Sequence, residues 1–285
     1  MKFYLYGILV FFIILIGSYI LFNFKSAEIH FYNIDLVSGY EDVQSNKLTT
    51  LAYYIKNEKG EVLKSFKTVH EKIMHFMVVR KDLQNFQHLH PTFDSESGLF
   101  SLDILFPTDG QYRIFADFSP LNNQKDSVGV PTTVTIFEDI EVGNSENYIQ
   151  IPLGSENRVK TFDGYEVALT THGALLSGVE NMLMFSLSQN GKPITDLEPY
   201  LGALGHAVIL REGSLDFIHA HPMGSATMQQ NGVVSFMVSF PEAGKYKLFS
   251  QFQRMGKVFT TDFVVEVVQG DGSVDTMPVM DHSMH

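Results

Sequence analysis

Apolar and polar residues alternate along much of the chain, and this alternation predicts short β-strands. Every second side chain is apolar in residues 100–106 and again in residues 234–240, which is the period expected of a strand with one buried face. Turn-forming sequences, such as residues 57–60 and 190–191, separate the runs. The sequence after residue 25 has no convincing amphipathic helix. The pattern therefore predicts an all-β chain.

A short motif occurs twice and indicates two copies of one domain. Residues 106–115 and residues 240–249 both read F-P-x-x-G-x-Y-basic-aliphatic-F, and each follows a set of three histidines. Two motifs repeated together at similar spacing indicate a duplication. We predict two tandem antiparallel β-sandwich domains, immunoglobulin-like or cupredoxin-like, at residues 28–142 and 147–270.

The first residues form an uncharged apolar segment. Residues 3–24 are 22 residues without a charge, enough for a helix to cross a hydrocarbon layer of about 30 Å. Because the run is longer than the apolar core of a secretory signal and lacks a good cleavage site, it favours an uncleaved anchor over a signal peptide. We expect residues 1–27 to anchor the protein in a membrane, with its body outside the cytoplasm.

Charge and composition exclude two classes of function. The formal net charge is -12 and Lys and Arg do not cluster, so we expect no nucleic-acid partner, because phosphate contacts require basic clusters. Cysteine is absent, which excludes thiolate metal ligands and blue-copper sites. A metal ion would have to be bound by histidine, methionine or carboxylate side chains.

Six histidines give the strongest indication of chemistry. They form two sets with the same thirteen-residue step and the same His-x-His-Pro ending: His75, His88 and His90, then His206, His219 and His221. Side chains two positions apart in a strand share a face, so each His-x-His offers two imidazoles, which a hairpin would bring beside the third. Three neutral imidazoles suit copper or zinc. A lone histidine would more simply bond a backbone carbonyl, but duplication of the whole set favours metal binding.

Other candidate ligands distinguish the two copies. Asp117 aligns with Gln251 and would ligate the ion or orient an imidazole in the first copy. His70 is a further candidate ligand there, without a histidine at the matching position of the second copy. Met255 could supply a thioether to the second set, although a surface methionine is the simpler description. We therefore expect two separate and unequal sites, of which the first is the tighter.

The C-terminal tail, residues 271–285, combines thioether and imidazole side chains. Its composition is too polar to pack a core. Thioether with imidazole is a ligand set that Cu(I) prefers and Cu(II) tolerates. We expect the tail to capture copper, although a flexible tail without a role is the alternative; the candidate ligands are Met280, His282, Met284 and His285.

The histidine-containing stretches also resemble a known family. Residues 69–91 with 106–120, and residues 199–222 with 240–263, are similar to the YtkA-like, immunoglobulin-like bacterial extracytoplasmic proteins associated with heavy metals, which carry His-x-His-Pro motifs. The resemblance implies an immunoglobulin-like domain outside the cytoplasm and a link to copper through the six histidines. It implies no established catalytic activity.

Three functions fit these observations. The leading hypothesis is a membrane-anchored extracytoplasmic protein that buffers or sequesters copper, with zinc as the alternative, or transfers it to a partner protein. The second is a β-sandwich module that binds a partner protein and uses its histidines structurally. The third is a metalloenzyme with an open position on the ion. It would need Glu71 as a base, and because the second copy has no matching acid, we do not expect an enzyme.

Overall fold

The computed structural model of the protein describes residues 31–121, 133–223 and 232–270. Within these ranges the chain forms β-strands and no helix, so the predicted all-β class is confirmed. The strands are β1 (Tyr32–Ser38), β2 (Leu48–Asn57), β3 (Phe66–Lys67), β4 (Met74–Arg80), β5 (Gln87–Leu89), β6 (Thr92–Asp94), β7 (Leu99–Leu105), β8 (Gly110–Pro120), β9 (Val134–Val142), β10 (Val159–Phe162), β11 (Tyr165–Thr171), β12 (Leu175–Leu176), β13 (Glu180–Gln189), β14 (Lys192–Pro193), β15 (His206–Arg211), β16 (Phe217–His219), β17 (His221–Pro222), β18 (Val233–Ser239), β19 (Gly244–Arg254) and β20 (Lys257–Val268).

Two predicted segments lie outside the described residues. They are the membrane anchor at residues 1–27 and the Met- and His-containing tail at residues 271–285. A search of the described part of the chain finds no helix that could span a membrane. The anchor and the tail therefore stay predictions.

The strands form four sheets, two in each copy of the domain. In the first copy the orders are β1-β2-β7-β6 and β3-β8-β4-β5, with β9 added to β8. In the second copy they are β10-β11-β13-β18-β17, with β14 added to β13, and β12-β20-β19-β15-β16. Pairing between these strands is antiparallel apart from the short parallel pair of β12 and β20. Each copy is thus a sandwich of two sheets.

Each sandwich encloses its own apolar core. The alternating residues of β7 point into the first core, where Phe100 is fully buried, and those of β18 point into the second, where Phe236 is fully buried. Fully burying an aromatic side chain of this size contributes about 1.5–3 kcal/mol. The alternation seen in the sequence therefore predicted the inner face of these strands correctly.

The repeated motif builds the same corner in both copies. Gly110 and Gly244 open their strands with φ of 143°, a conformation that glycine adopts without steric penalty. The hydroxyl groups of Tyr112 and Tyr246 each donate to the backbone carbonyl four residues earlier, at 2.8 and 2.7 Å. A tyrosine that bonds back upstream at the start of a strand is a hallmark of immunoglobulin-like sandwiches. The motif thus has a structural role.

The two domains pack against each other through the β4–β8 sheet of the first and the β15–β19 sheet of the second. Every residue of β4 is buried, because its alternate side chains point into the first core and into the interface. The interface contains a separate apolar cluster formed by residues of both domains, among them Met77, Val79, Val208 and Leu210. The outer face of each sheet is therefore apolar as well as the inner face.

Aromatic rings cross this interface in two equivalent pairs. Phe86 stacks on Phe249 with ring centroids 4.2 Å apart. Phe217 contacts Phe115 with centroids 5.6 Å apart. Phe86 and Phe217 are counterparts in the two copies, and so are Phe115 and Phe249. The contact between these two equivalent positions therefore occurs twice, and each domain supplies one ring to each pair.

Two cationic side chains, one from each domain, also form equivalent hydrogen bonds across the interface. Lys247 Nζ donates to the Leu83 carbonyl at 2.9 Å, and the Arg113 guanidinium donates to the Ser214 carbonyl at 3.2 Å. Lys247 and Arg113 are counterparts in the two copies, and so are Leu83 and Ser214. The two domains are thus related by an approximate two-fold axis, as in an isologous dimer interface.

Candidate metal centre

One cavity at the domain interface is lined by histidines from both copies. Its volume is about 30 Å³, room for about two water molecules. Because the outer faces of the two sheets meet here, His206 of the second set lines the same cavity as His75 and His88 of the first set. The lining residues are His70, His75, Met77, His88 and Asp117 of the first domain and His206, Ala207, Val208, Phe217, Ala220 and Pro222 of the second.

Three histidines of the first domain lie close together, and two of them, His75 and His88, line this cavity. His75 is the second residue of β4, and His88 lies on the adjacent strand β5 opposite Met77. His90 follows Leu89, whose side chain packs against the first core. His88 and His90 therefore share the opposite face, with ring centroids 4.9 Å apart, as the His-x-His spacing predicts.

His75, His88 and His90 could hold a metal ion. One ligand nitrogen from each ring lies within 4.8 Å of the other two. The His75 ring centroid is 5.3 Å from that of His88 and 5.2 Å from that of His90. Three imidazole nitrogens form a ligand set that zinc and copper both accept. The structure thus brings together the first of the predicted histidine sets.

Hydrogen bonds hold two of these rings in the form that a metal ion requires. His75 Nε2 lies 3.1 Å from the Val69 carbonyl oxygen, and His88 Nδ1 lies 2.6 Å from Oε1 of Gln251. Because these oxygens can only accept, the two ring nitrogens carry the protons, in the amide orientation that the structure has. The lone pairs of the two neutral rings are therefore on His75 Nδ1 and His88 Nε2.

These two lone pairs face each other. The distance between His75 Nδ1 and His88 Nε2 is 3.1 Å, and neither atom can donate a hydrogen bond to the other. Two nitrogens bound to one zinc ion at about 2.0–2.1 Å are about 2.9–3.4 Å apart for angles between right and tetrahedral. The observed distance fits this range, so a cation between the rings would convert a repulsive contact into two bonds.

His90 adds a third unsatisfied nitrogen. Its Nε2 is buried and has no hydrogen-bond partner in the described part of the structure. Leaving a buried polar atom unsatisfied costs about 1–3 kcal/mol. A metal ion bound by all three histidines would remove this cost.

Burial keeps the three clustered imidazoles and that of His206 neutral. Desolvation is the main cause that lowers the pKa of His75 and His90 to about 4. It lowers the pKa of His88 and His206 further, to about 3, with additional contributions from neighbouring histidines. Neutral rings keep the lone pair that binds a metal, so these side chains are available as ligands at neutral pH.

His206 brings the second domain into the cavity. It begins β15, and its Nε2 donates to the Tyr200 carbonyl at 2.8 Å, as His75 does to Val69. Its ring lies 5.4 Å from that of His70, which in turn lies 6.1 Å from that of His75. His70 and His206 therefore line the cavity outside the group of three close nitrogens.

Asp117 places a buried carboxyl group at the same cavity. It pairs with His75 across β4 and β8 and is 4% exposed. Its Oδ1 accepts a hydrogen bond from Thr135 at 2.8 Å, and burial raises the pKa of its carboxyl group to about 6. At neutral pH the carboxylate predominates, and its charge favours a cation in the cavity.

The structure does not place the remaining predicted ligands among the described lining residues of the cavity. His219 and His221 have their backbone on β16 and β17. Met255 is 73% exposed and does not line the cavity, in agreement with a surface methionine. Glu71 is exposed and also does not line it. The four tail residues Met280, His282, Met284 and His285 lie outside the described residues.

The sequence did not predict that a side chain of the second domain bonds a histidine of the first. It left Gln251 as a mere difference between the copies, whereas this residue bonds His88. It also overlooked Met77, which lines the cavity. One signal was present: β4 reads MHFMVVR, an almost continuous apolar run of the kind found in strands buried on both faces.

The fold and the cavity define a two-domain immunoglobulin-like β-sandwich protein with a histidine cluster that could bind a metal ion. The chain belongs to the family described as Domain of unknown function (DUF8832), whose model matches it twice, at residues 27–136 and 160–269. The two matches confirm the predicted duplication.

Comparisons with other proteins give no functional lead. No curated protein matches the chain. The D00-D0 domain of Intimin is 9% identical, covers 83% of this chain and 100% of its own, and has a TM-score of 0.24. Domains 4 and 5 of the S-layer protein SbsC are 11% identical, cover 83% of this chain and 97% of their own, and have a TM-score of 0.23. MtrC from Shewanella baltica OS185 is 9% identical, covers 85% of this chain and 70% of its own, and has a TM-score of 0.24. Likenesses this weak support no inference.

Proposed function

We propose that this protein binds copper in the interdomain cavity, outside the cytoplasm, and is tethered to a membrane by residues 1–27. Its role is to buffer, sequester or transfer the ion to a partner protein. The observation that carries the proposal is the pair of opposed lone pairs on His75 Nδ1 and His88 Nε2, 3.1 Å apart. Beside them lies the buried Nε2 of His90, which has no hydrogen-bond partner among the described residues.

The choice of copper over zinc is supported by thioether groups. Met77 lines the cavity together with the histidines, and thioether ligands are soft donors that favour Cu(I). The tail ligands Met280, His282, Met284 and His285 would extend this preference. His219 and His221 are proposed as further ligands from the second domain. The resemblance to proteins associated with heavy metals points the same way.

The size of the cavity favours ion binding over catalysis. A volume of about 30 Å³ is far below the roughly 300–1,000 Å³ of pockets that hold organic molecules. Glu71, the expected base, does not line the cavity. We therefore propose that the protein is not an enzyme.

The proposal is tested by metal titration of the full chain and its His88→Ala variant. The metal-free proteins are titrated with Cu(I), Cu(II) and Zn(II) against competing chelators. We expect loss of His88, a direct ligand, to weaken the tightest site by more than the about 10–100-fold typical of outer-sphere changes. His172→Ala is the matched control, because His172 is exposed. Unchanged stoichiometry and affinity in His88→Ala would overturn the proposal.

A further inference from the structure

A side chain of the second domain contacts a candidate ligand of the first. Oε1 of Gln251, on β19, accepts the proton of His88 Nδ1 at 2.6 Å. Gln251 is 6% exposed, and its own Nε2 donates to Thr260 Oγ1 at 3.1 Å. The amide is thus held from both ends, and its oxygen is directed at His88.

This contact decides which nitrogen of His88 carries the proton. A neutral imidazole has one N–H, and the acceptor bound at one nitrogen leaves the lone pair on the other. With Gln251 present, the lone pair is on Nε2, 3.1 Å from His75 Nδ1. Without this acceptor, the proton can move to Nε2, where it would donate to His75 Nδ1. That internal hydrogen bond would occupy both ligand atoms and compete with a metal ion.

We propose that Gln251 is a positioning residue through which the second domain keeps the histidine cluster of the first domain open to metal. This inference rests on the proposed metal-binding function. Metal affinity then depends on the docked arrangement of the two domains. By linkage, a bound ion stabilises that docking to the same extent.

The packing around Gln251 explains how docking sets this contact. Phe249 precedes Gln251 by two residues on β19 and stacks on Phe86, which precedes His88 by two residues. Side chains two apart share a face of the strand, so the stacked rings fix the register at which the amide meets the imidazole. Separation of the domains would remove the ring contact and the hydrogen bond together.

The test compares Gln251→Ala and Gln251→Glu in the full chain, with Zn(II) as the probe. Removing an outer partner of a ligating histidine typically lowers metal affinity about 10–100-fold, and we expect this loss in Gln251→Ala. Gln251→Glu keeps an acceptor oxygen and should restore affinity. Gln253→Ala is the control, because Gln253 lies on the same strand but donates to Glu198, and it should bind as the wild type does.

Two further readouts separate positioning from a general structural effect. In ¹⁵N spectra of the metal-free proteins, the proton of His88 should reside on Nδ1 in the wild type and in Gln251→Glu, and should move to Nε2 in Gln251→Ala. In hydrogen exchange, Zn(II) should slow the amides of β19 in the wild type but much less in Gln251→Ala.

Each outcome supports or overturns a defined claim. If the wild type binds Zn(II) and Gln251→Ala binds it equally well with Nδ1 still protonated, the inference about Gln251 is wrong and the metal site stands. If Zn(II) slows exchange in the first domain alone, the linkage to docking is wrong. If the wild type binds neither zinc nor copper, the proposed function itself falls.

Discussion

A single difference between counterpart residues gives the two domains different side chains beside the histidine cluster. Asp117 on β8 and Gln251 on β19 occupy equivalent positions, and each bonds a threonine of the neighbouring strand. One is ionisable and the other is neutral. Burial raises the pKa of Asp117 to about 6, so the metal-free protein carries a buried carboxylate at neutral pH at a cost in stability.

We expect Asp117→Asn to stabilise the metal-free protein above pH 7. Burial raises the pKa of this carboxyl group from its ordinary value of 3.8 to about 6 in the folded protein. The stability that the protonated carboxyl group allows is therefore fully present below pH 3.8 and is lost as the pH rises through 6. The shift corresponds to about 1–3 kcal/mol at pH 8, which asparagine does not lose. Urea unfolding in the presence of a chelator, at pH 8 and at pH 4, measures it. A difference from wild type that is equal at both pH values would contradict this explanation.

At the scale of elements, a tight turn carries His70 to the cavity. Val69 and Lys72 exchange two backbone hydrogen bonds, at 2.9 and 3.1 Å, around His70 and Glu71. Both central residues have positive φ, 49° and 63°, which is the geometry of a type I′ turn and disfavours residues other than glycine and asparagine. The second copy makes the same turn with a glycine at the second position, Gly202.

Glu71→Gly should therefore stabilise the protein modestly. A left-handed conformation costs a side-chain-bearing residue about 1–2 kcal/mol, and the added freedom of glycine in the unfolded chain returns about 0.4–1 kcal/mol of this. We expect a net gain of about 0.5–1 kcal/mol in urea unfolding. Gly202→Ala is the matched reverse change, because an added Cβ meets only Glu71, at 3.9 Å, and it should destabilise. A destabilised Glu71→Gly variant would show that the Glu71 side chain has a structural role.

At the scale of the whole molecule, the two domains together bury a group of neutral histidines. His75, His88, His90 and His206 have their pKa values lowered from 6.5 to between about 3 and 4. In the unfolded chain these side chains bind protons below pH 6.5, whereas in the folded protein they do not. Their contribution to stability is therefore complete above pH 6.5 and declines as the pH falls towards 4.

We expect the free energy of unfolding of the metal-free protein to fall steeply between pH 6.5 and pH 4.5. Each proton taken up on unfolding contributes about 1.4 kcal/mol per pH unit. The contribution of Asp117 to the free energy of unfolding rises as the pH falls over part of this range, which opposes the effect of the histidines. The four histidines outweigh this one carboxyl group. Urea unfolding at four pH values measures the slope, and His88→Ala should flatten it. A slope near zero would mean that the histidines are not buried as neutral rings.

How much of the site could be anticipated varies from residue to residue. The shared face of His88 and His90 followed from the His-x-His spacing, because successive side chains of any strand alternate. The role of Asp117 could not be assigned, since its burial depends on the docking of the second domain. Gln251 carried no signal of its own, and its contact with His88 joins residues far apart in the chain. Met77 looked like any core residue of a strand.

The sequence by itself determined the strands, the duplication and the two internal cores, because alternation and turn formation depend on neighbouring residues. It also predicted that three imidazoles of the first copy lie close enough to bind one ion, which the structure confirms as a possible metal site. Only the tertiary structure decided that His206 of the second set lines a cavity with histidines of the first set, and that the second domain bonds a candidate ligand of the first. That outcome depends on which outer faces of two sheets pack together, and packing between faces joins side chains more than a hundred residues apart, beyond the reach of any local pattern.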